Sequence, residues 1–401
     1  TNNCSWASVG EIDENCMYTI DGVKKALVGT EFVALEKDEY DEVYVNVANH
    51  SDYYMLFSGC VWQHATKIPD TYRAYEVLDN PYIWLNDEWT QVAEEYGYYY
   101  ITDDQNIKHY YEFDDVTFSW QPVPNKVRIS AGVERRDFIT WDMAMAYLGQ
   151  YTNPTVTLLD DAIATQSVAA LAPGSKSTQF TFDLNGHTLT ANIGNAAYFM
   201  NMNTTATLYI TDNSDRANGQ MLIYGAGNKE IDGLYVTKGN VVMNGGRIYM
   251  ENGAVYASNT SCKASAIYLK AGQSLTINGG EIEAKGHRNV YGVLAASSAA
   301  TATTSKITMN GGKVTATAPV YAYGVYTYGT INVNGGEINA VTETVTSAGG
   351  STAGANYAYG IYGNVSSNAT ASNCYYATIN VTGGVINATS TTTYAYGIYA
   401  N

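Results

Sequence analysis

A short motif returns through the second half of this 401-residue chain. It reads Leu275-Thr-Ile-Asn-Gly-Gly280, Ile307-Thr-Met-Asn-Gly-Gly312, Ile331-Asn-Val-Asn-Gly-Gly336 and Ile379-Asn-Val-Thr-Gly-Gly384, with a looser copy at Val241-Val-Met-Asn-Gly-Gly246. Each Gly pair leads into a strand-like run such as Glu337-Ile-Asn-Ala340. From the third of these runs on comes a Tyr-Ala-Tyr-Gly-Val/Ile-Tyr step, at 321–326, 357–362 and 394–399. Self-similarity at a regular period sets architecture before any local motif does.

The 24 residues between the Gly pairs at 312 and 336 leave no room for a helix. Ile331 and Val333 alternate with Thr330, Asn332 and Asn334, and Ile338 and Ala340 alternate with Glu337 and Asn339. Period-two alternation over short runs broken by Gly means short strands joined by tight corners. Three strands per repeat, stacked at the ~4.8 Å strand spacing, predict a parallel β-helix, an all-β solenoid. The Gly pairs supply the positive φ of a sharp corner, and the adjoining Asn can run as a ladder up the stack. Leucine-rich, ankyrin and tetratricopeptide repeats are excluded, because each needs a helix or a Leu signature that is missing. The wider spacings of 34, 32 and 48 residues place surplus polar segments at 295–304, 341–355 and 364–376. These read as insertions on a constant repeat, and the 48-residue unit as one repeat rather than two.

Charge divides the chain. Residues 1–150 carry 26 Asp and Glu against 10 Lys and Arg, so nearly all of the net −17 lies there, and residues 314–401 contain no Lys, Arg or Asp. Nucleic-acid and anionic-membrane affinities come from Lys and Arg, so neither partner is expected. No run of about 18 apolar residues exists to span a membrane. A start at Thr1 without a hydrophobic leader suggests an exported chain whose signal peptide is gone, hence an extracellular or cell-surface location. Cys4, Cys16, Cys60, Cys262 and Cys374 form no CxxC pair. An oxidising compartment would first pair Cys4 with Cys16; in the other reading all five are free and buried.

Three regions follow: an acidic, Tyr- and Trp-rich β-type domain at 1–135, a capping helix and linker at 136–153, and the repeat region at 154–401. Thr140 can cap the helix, Asp142 sits in its first turn, Gly149 can end it, and Phe138, Trp141, Met145 and Leu148 share a face. Such a helix suits the open apolar end of a first repeat. Within 1–135 the β-type runs suggest a small sandwich, with a helix near Trp89–Tyr96.

Thr155-Val-Thr-Leu-Leu-Asp-Asp161, Phe182-Asp-Leu-Asn-Gly-His-Thr-Leu-Thr190 and the repeated Ile-Asn-Val-Asn-Gly-Gly-Glu-Ile-Asn-Ala resemble the pectate-lyase-like right-handed β-helices of large bacterial surface and adhesin-like proteins. The resemblance covers roughly 138–401. It implies the handedness and a surface or secreted context, but no one activity, because that superfamily also holds lyases, hydrolases and tailspikes.

An enzyme of this shape needs clustered carboxylates, with Ca²⁺ and a base for a lyase or in close pairs for a hydrolase. The available residues are Asp160, Asp161, Asp183, Asp212, Asp215, Glu230 and Asp232, with Arg216, Arg247, His187 and His287; most read as solvated turn residues. No catalytic residue, metal ligand or cofactor is assigned. In Tyr-Ala-Tyr-Gly-Ile-Tyr the first two Tyr share parity with Ile361 and should face the core, unless Gly360 breaks the alternation. Tyr326, Tyr362 and Tyr399 then form an outer strip for glycans or a protein partner. Asn203, Asn259, Asn364, Asn368, Asn380 and Asn387 are among the glycosylation sequons. The expectation is a non-enzymatic extracellular stalk, adhesin or filament subunit that self-associates head to tail through its last repeat. The alternative is a β-helix that binds or cleaves polysaccharide.

Overall fold

A computed structural model describes residues 10–38, 42–69, 71–104, 107–226, 229–253, 263–298, 303–343, 356–367, 374–391 and 393–401. The described residues are all-β apart from one short helix and a 3₁₀ turn, and the chain divides into two compact units, Thr1–Pro124 and Asn125–Asn401. The division falls earlier than the expected boundary at 135, because Val127–Ala131 and Glu134–Phe138 form a hairpin that belongs to the second unit.

The first unit consists of antiparallel meanders. Nine strands from Tyr18–Ile20 to Glu88–Gln91 pair in chain order, and four more run from Ala93–Glu95 to Ser119–Pro122. Asp21-Gly22, Leu78-Asp79, Asn86-Asp87 and Tyr96-Gly97 all carry positive φ at both positions. That is the two-residue turn whose twist matches a hairpin. Turns at 86–87 and 96–97 therefore bound two short strands where a helix near Trp89–Tyr96 was expected, and residues of both sheets, Ile83 and Leu85 with Tyr99 and Trp120, share one core cluster. Cys16 is bonded to Cys60 rather than to Cys4, which lies outside the described residues. Met17 and Trp62 share one core cluster and the Trp62 indole donates to the Cys16 carbonyl at 3.2 Å, which brings Cys16 beside the turn at Cys60.

The second unit is dominated by parallel pairing. A typical repeat contributes the strands Lys306–Met309, Lys313–Ala318 and Tyr321–Thr327. Each pairs in parallel with its counterpart one repeat on: Ile307 with Ile331, Val314 with Ile338, Tyr321 with Tyr357. Glu337–Thr342 pairs directly with Val385–Ser390, and Thr330–Val333 with Thr378–Val381, so the 48-residue spacing is one repeat with insertions. Within the surplus segments, Val365–Ser367 and Cys374–Tyr376 form a small antiparallel ribbon, and so do Ser297–Ser298 and Thr303–Thr304.

Ile307, Met309, Val314, Ala316, Ala322, Val325, Ile331, Val333 and Ile338 are all at most 1% exposed. The first parallel strand, Thr155–Leu158, is covered on its other edge by the antiparallel hairpin 127–138. The helix Trp141–Tyr147 is capped by Thr140, whose hydroxyl accepts from the Met143 N–H at 3.2 Å. It buries Trp141, Met143 and Ala144, and Trp141 meets Phe182 edge-on at 5.4 Å; Met145, expected on this face, is only half-buried.

Two substitutions test this packing. Ile338→Asp should lower stability by roughly 2–7 kcal/mol by burying a polar group without a partner. Gly324→Ala should also destabilise, because an added Cβ would lie 2.5 Å from Ile338 Cγ2 and 2.6 Å from the Gly360 carbonyl. Chemical denaturation of both variants reads the cost, and wild-type stability in either would refute this register.

Candidate functional site

The most distinctive surface grows from one glycine per repeat. In Tyr321–Thr327 the fully buried side chains are Ala322, Val325 and Thr327, while Tyr321, Tyr323 and Tyr326 are half-buried. Gly324 and Val325 are consecutive buried positions, so the alternation resets at the glycine. The close approach of Gly324 to Ile338 leaves no room for any side chain there. The expectation that the first two tyrosines face the core is therefore wrong, and its stated exception holds: all three tyrosines of each step lie on the side away from Val325 and Ile361.

In-register pairing stacks these tyrosines into three columns. Tyr321, Tyr357 and Tyr394 are separated by 5.4 and 5.1 Å between ring centroids, with planes 6° and 18° apart. Tyr291, Tyr323, Tyr359 and Tyr396 follow at 4.9, 5.1 and 5.3 Å, within 11° of parallel. Tyr326, Tyr362 and Tyr399 follow at 4.9 and 5.1 Å. Across the sheet the first two columns lie parallel, with Tyr357 and Tyr359 6.0 Å and 1° apart, and the third meets the second edge-on, with Tyr359 and Tyr362 at 5.0 Å and 86°. Such contacts contribute about 0.5–1.5 kcal/mol each beyond area burial. Burial pushes the phenols of Tyr291, Tyr323, Tyr326 and Tyr359 well above the usual tyrosine range. The Tyr326 and Tyr328 hydroxyls lie 3.1 Å apart, and the Asn364 amide donates to Tyr326 at 2.5 Å.

A sugar ring recognised by stacking needs an open aromatic face. Here the faces are turned on one another along each column, so edges and hydroxyls remain for a ligand.

Beside the Gly pairs runs a ladder of amides. Asn278 donates to Asn244 at 2.8 Å, Asn310 to Asn278 at 2.9 Å and Asn334 to Asn310 at 2.8 Å, and the Thr382 hydroxyl continues it to Asn334 at 3.1 Å. Two sequon residues belong to similar ladders: Asn380 donates to Asn332 and Asn387 to Asn339, both at 2.9 Å. A glycan on Asn364, Asn380 or Asn387 would occupy a nitrogen already engaged. Asn203 is exposed on its strand, and Asn259 and Asn368 lie outside the described residues.

The candidate catalytic residues are spread out and mostly committed to structure. Asp212 accepts from the N–H groups of Gly186 (2.8 Å) and Gly219 (2.6 Å) and from the Ser214 hydroxyl (2.8 Å). Although burial pushes its carboxyl up, the Gly219 and Ser214 bonds hold it below the usual range. Asp183 accepts from Asn213 and from the Asn185 N–H, and Asp161 accepts from the Thr188 N–H at 2.7 Å with His187 3.8 Å away. Lys126 lies 3.9 Å from Asp160, Glu230 pairs with Lys263 at 3.3 Å, and Arg247 pairs with Glu283 at 2.5 Å. Asp215 and Arg216 are exposed in a turn, and His287 is half-buried. A concavity of about 560 Å³ lined by Asp212, Gln220, Asn244, Arg247 and Glu281 brings some of them together. Among the described residues no group of three or more His, Cys, Asp or Glu is arranged to hold a metal ion, and no helix is long and apolar enough to cross a membrane.

One group stands apart. Asp232 is 4% exposed and accepts from the Ser265 hydroxyl, which is itself buried. It stands in the register that leads up to the middle column, between Tyr198 and Ser265, with Tyr291 next. Burial pushes its carboxyl up to about 8, with Glu230 adding to the rise and Ser265 and Lys263 opposing it. The sequence marks Asp232 only as one acid among several; its register against a column of uncharged residues is the signal.

No family model, curated protein or solved structure matches this chain.

The Asp232 carboxyl binds its proton more tightly folded than unfolded, where the ordinary value is 3.8. Its stabilising contribution is therefore complete below about 4 and is lost as pH rises toward about 8. Asp232→Asn should flatten the fall in melting temperature across that window. A slope unchanged by the substitution would refute the assignment.

Proposed function

We propose that residues 154–401 form a right-handed parallel β-helix of the pectate-lyase-like kind, and that the protein serves as an extracellular structural or adhesive element, a surface stalk or filament subunit. The observation that carries this reading is the residue-on-residue repetition. Isoleucine lies over isoleucine, asparagine over asparagine and tyrosine over tyrosine for repeat after repeat. A chain that spends its surface on self-stacking is suited to length and stiffness. A catalytic centre needs one cluster that differs from its neighbours, and the acids of this unit are distributed among turns and ion pairs. Tyr326, Tyr362 and Tyr399 would offer a hydroxyl-lined edge to glycans or a protein partner.

The stalk form is better supported than the end-to-end filament. Head-to-tail growth would bring the last repeat of one copy onto the first strand of the repeat series in the next. The edge of Thr155–Leu158 is already paired, and the hairpin strand outside it presents Glu134, Arg135 and Arg136. Charged outer strands protect sheet edges from further pairing. The concavity lined by Asp212, Arg247 and Glu281 favours polysaccharide binding as the second reading, since it joins carboxylates, amides and a guanidinium in one recess.

Two measurements separate these readings. Electron microscopy at low and high ionic strength should show separate particles at both; filaments would favour the subunit form. Incubation with acidic and neutral polysaccharides, with and without Ca²⁺, should release no new reducing ends or unsaturated products. Their appearance, abolished by Arg247→Ala, would overturn the structural reading in favour of an enzyme.

A further inference from the structure

We propose that the tyrosine columns are a site of oxidative cross-linking, at which a peroxide-class oxidant joins tyrosines of adjacent repeats as dityrosine and so staples the repeats covalently. Three observations carry this. Register partners hold their rings nearly parallel and about as close as the strands themselves, 4.9–5.4 Å between centroids along every column. Because the backbone register is shared, each ring lies face to face with its register partner. The strands that carry the columns, Asn289–Ala295, Tyr321–Thr327, Tyr357–Gly363 and Tyr394–Ala400, contain no Trp, Cys or Met that would intercept an oxidising equivalent.

The columns also touch each other, so an electron vacancy formed at the exposed Tyr394 has an unbroken path of ring contacts into the array. Each oxidised phenol loses one electron to the oxidant and its hydroxyl proton to water. Two neighbouring phenoxyl radicals then couple through ring carbons ortho to oxygen, forming one C–C bond, and each ring regains aromaticity as its ortho hydrogen moves to the phenol oxygen. In sum, two tyrosines and one hydrogen peroxide give one dityrosine and two waters. The raised phenol pKa values are consistent with this order, since the hydroxyls keep their protons until an electron is removed.

The test treats the dilute full chain with hydrogen peroxide and a small haem-peptide catalyst, then maps linked peptides by mass spectrometry. The expected links are intramolecular, lighter by two hydrogens, and join register partners: Tyr321 to Tyr357, Tyr323 to Tyr359, Tyr326 to Tyr362 and their continuations to Tyr394, Tyr396 and Tyr399. The double substitution Tyr323→Phe with Tyr359→Phe keeps both rings while removing their hydroxyls. It should abolish middle-column links, leave the outer columns linked, and leave the thermal transition in place. Absence of dityrosine overturns the proposal. So does a majority of links in the first unit, where Tyr100 and Tyr110 are as near, at 5.5 Å, but tilted by 50°. Middle-column links that survive the double substitution would overturn it too.

Discussion

Parallel pairing in identical register is the constraint from which the rest of the second unit follows. When each residue lies over its counterpart one repeat away, every side chain must tolerate a neighbour like itself at about 4.8 Å. Isoleucine and valine tolerate this by packing, asparagine by donating with its amide and accepting with its carbonyl, and tyrosine by stacking. Like charges do not. The lack of Lys, Arg and Asp from 314–401, where the repeats are most alike, accords with that rule.

Where charges do occupy a column they alternate. Arg247, Glu281, Lys313 and Glu337 stand in consecutive register, with Arg247 3.6 Å and Lys313 3.7 Å from Glu281. Glu230 and Lys263 pair in the same way, as do Glu251 and Lys285 by position. Asp232 fits the same logic by another route. Between Tyr198 and Ser265 it has no cation in register, so the neutral, proton-bearing form is the one its surroundings favour.

The Gly-Gly period and the alternation of Ile331, Val333 and Ile338 made the three-strand repeat and the insertions legible, because these depend on local pattern alone. The direction of the tyrosines was not settled by it. It depends on Gly324 touching Ile338 in a different strand, a contact that parity counting cannot contain. In the first unit the hairpin turns rest partly on Leu78-Asp79 and Asn86-Asp87, where side-chain-bearing residues adopt positive φ without the glycine that would announce a turn. That hid the strands around Trp89. The Cys16–Cys60 bond depends on Met17 and Trp62 meeting in one cluster, again a tertiary fact. The helix at Trp141 was visible because its cap, Thr140, is a local signal, but the hairpin that covers the first parallel strand was missed and the domain boundary displaced with it.

Stability and register have different sources here. Burying each Ile or Val contributes about 1.5–3 kcal/mol, the largest single share, yet this term is nearly blind to alignment. A slip of one residue exposes the core set and is forbidden by burial alone. A slip of two returns apolar side chains to the interior at little hydrophobic cost. What it destroys is the amide ladder from Asn244 to Asn334, the tyrosine columns, and the alternating charges from Arg247 to Glu337. Each of these contributes only about 0.5–1.5 kcal/mol per contact, but all are lost together and in every repeat beyond the slip. The core thus drives the collapse, while the outward columns, individually weak, select one alignment among several that bury the same residues.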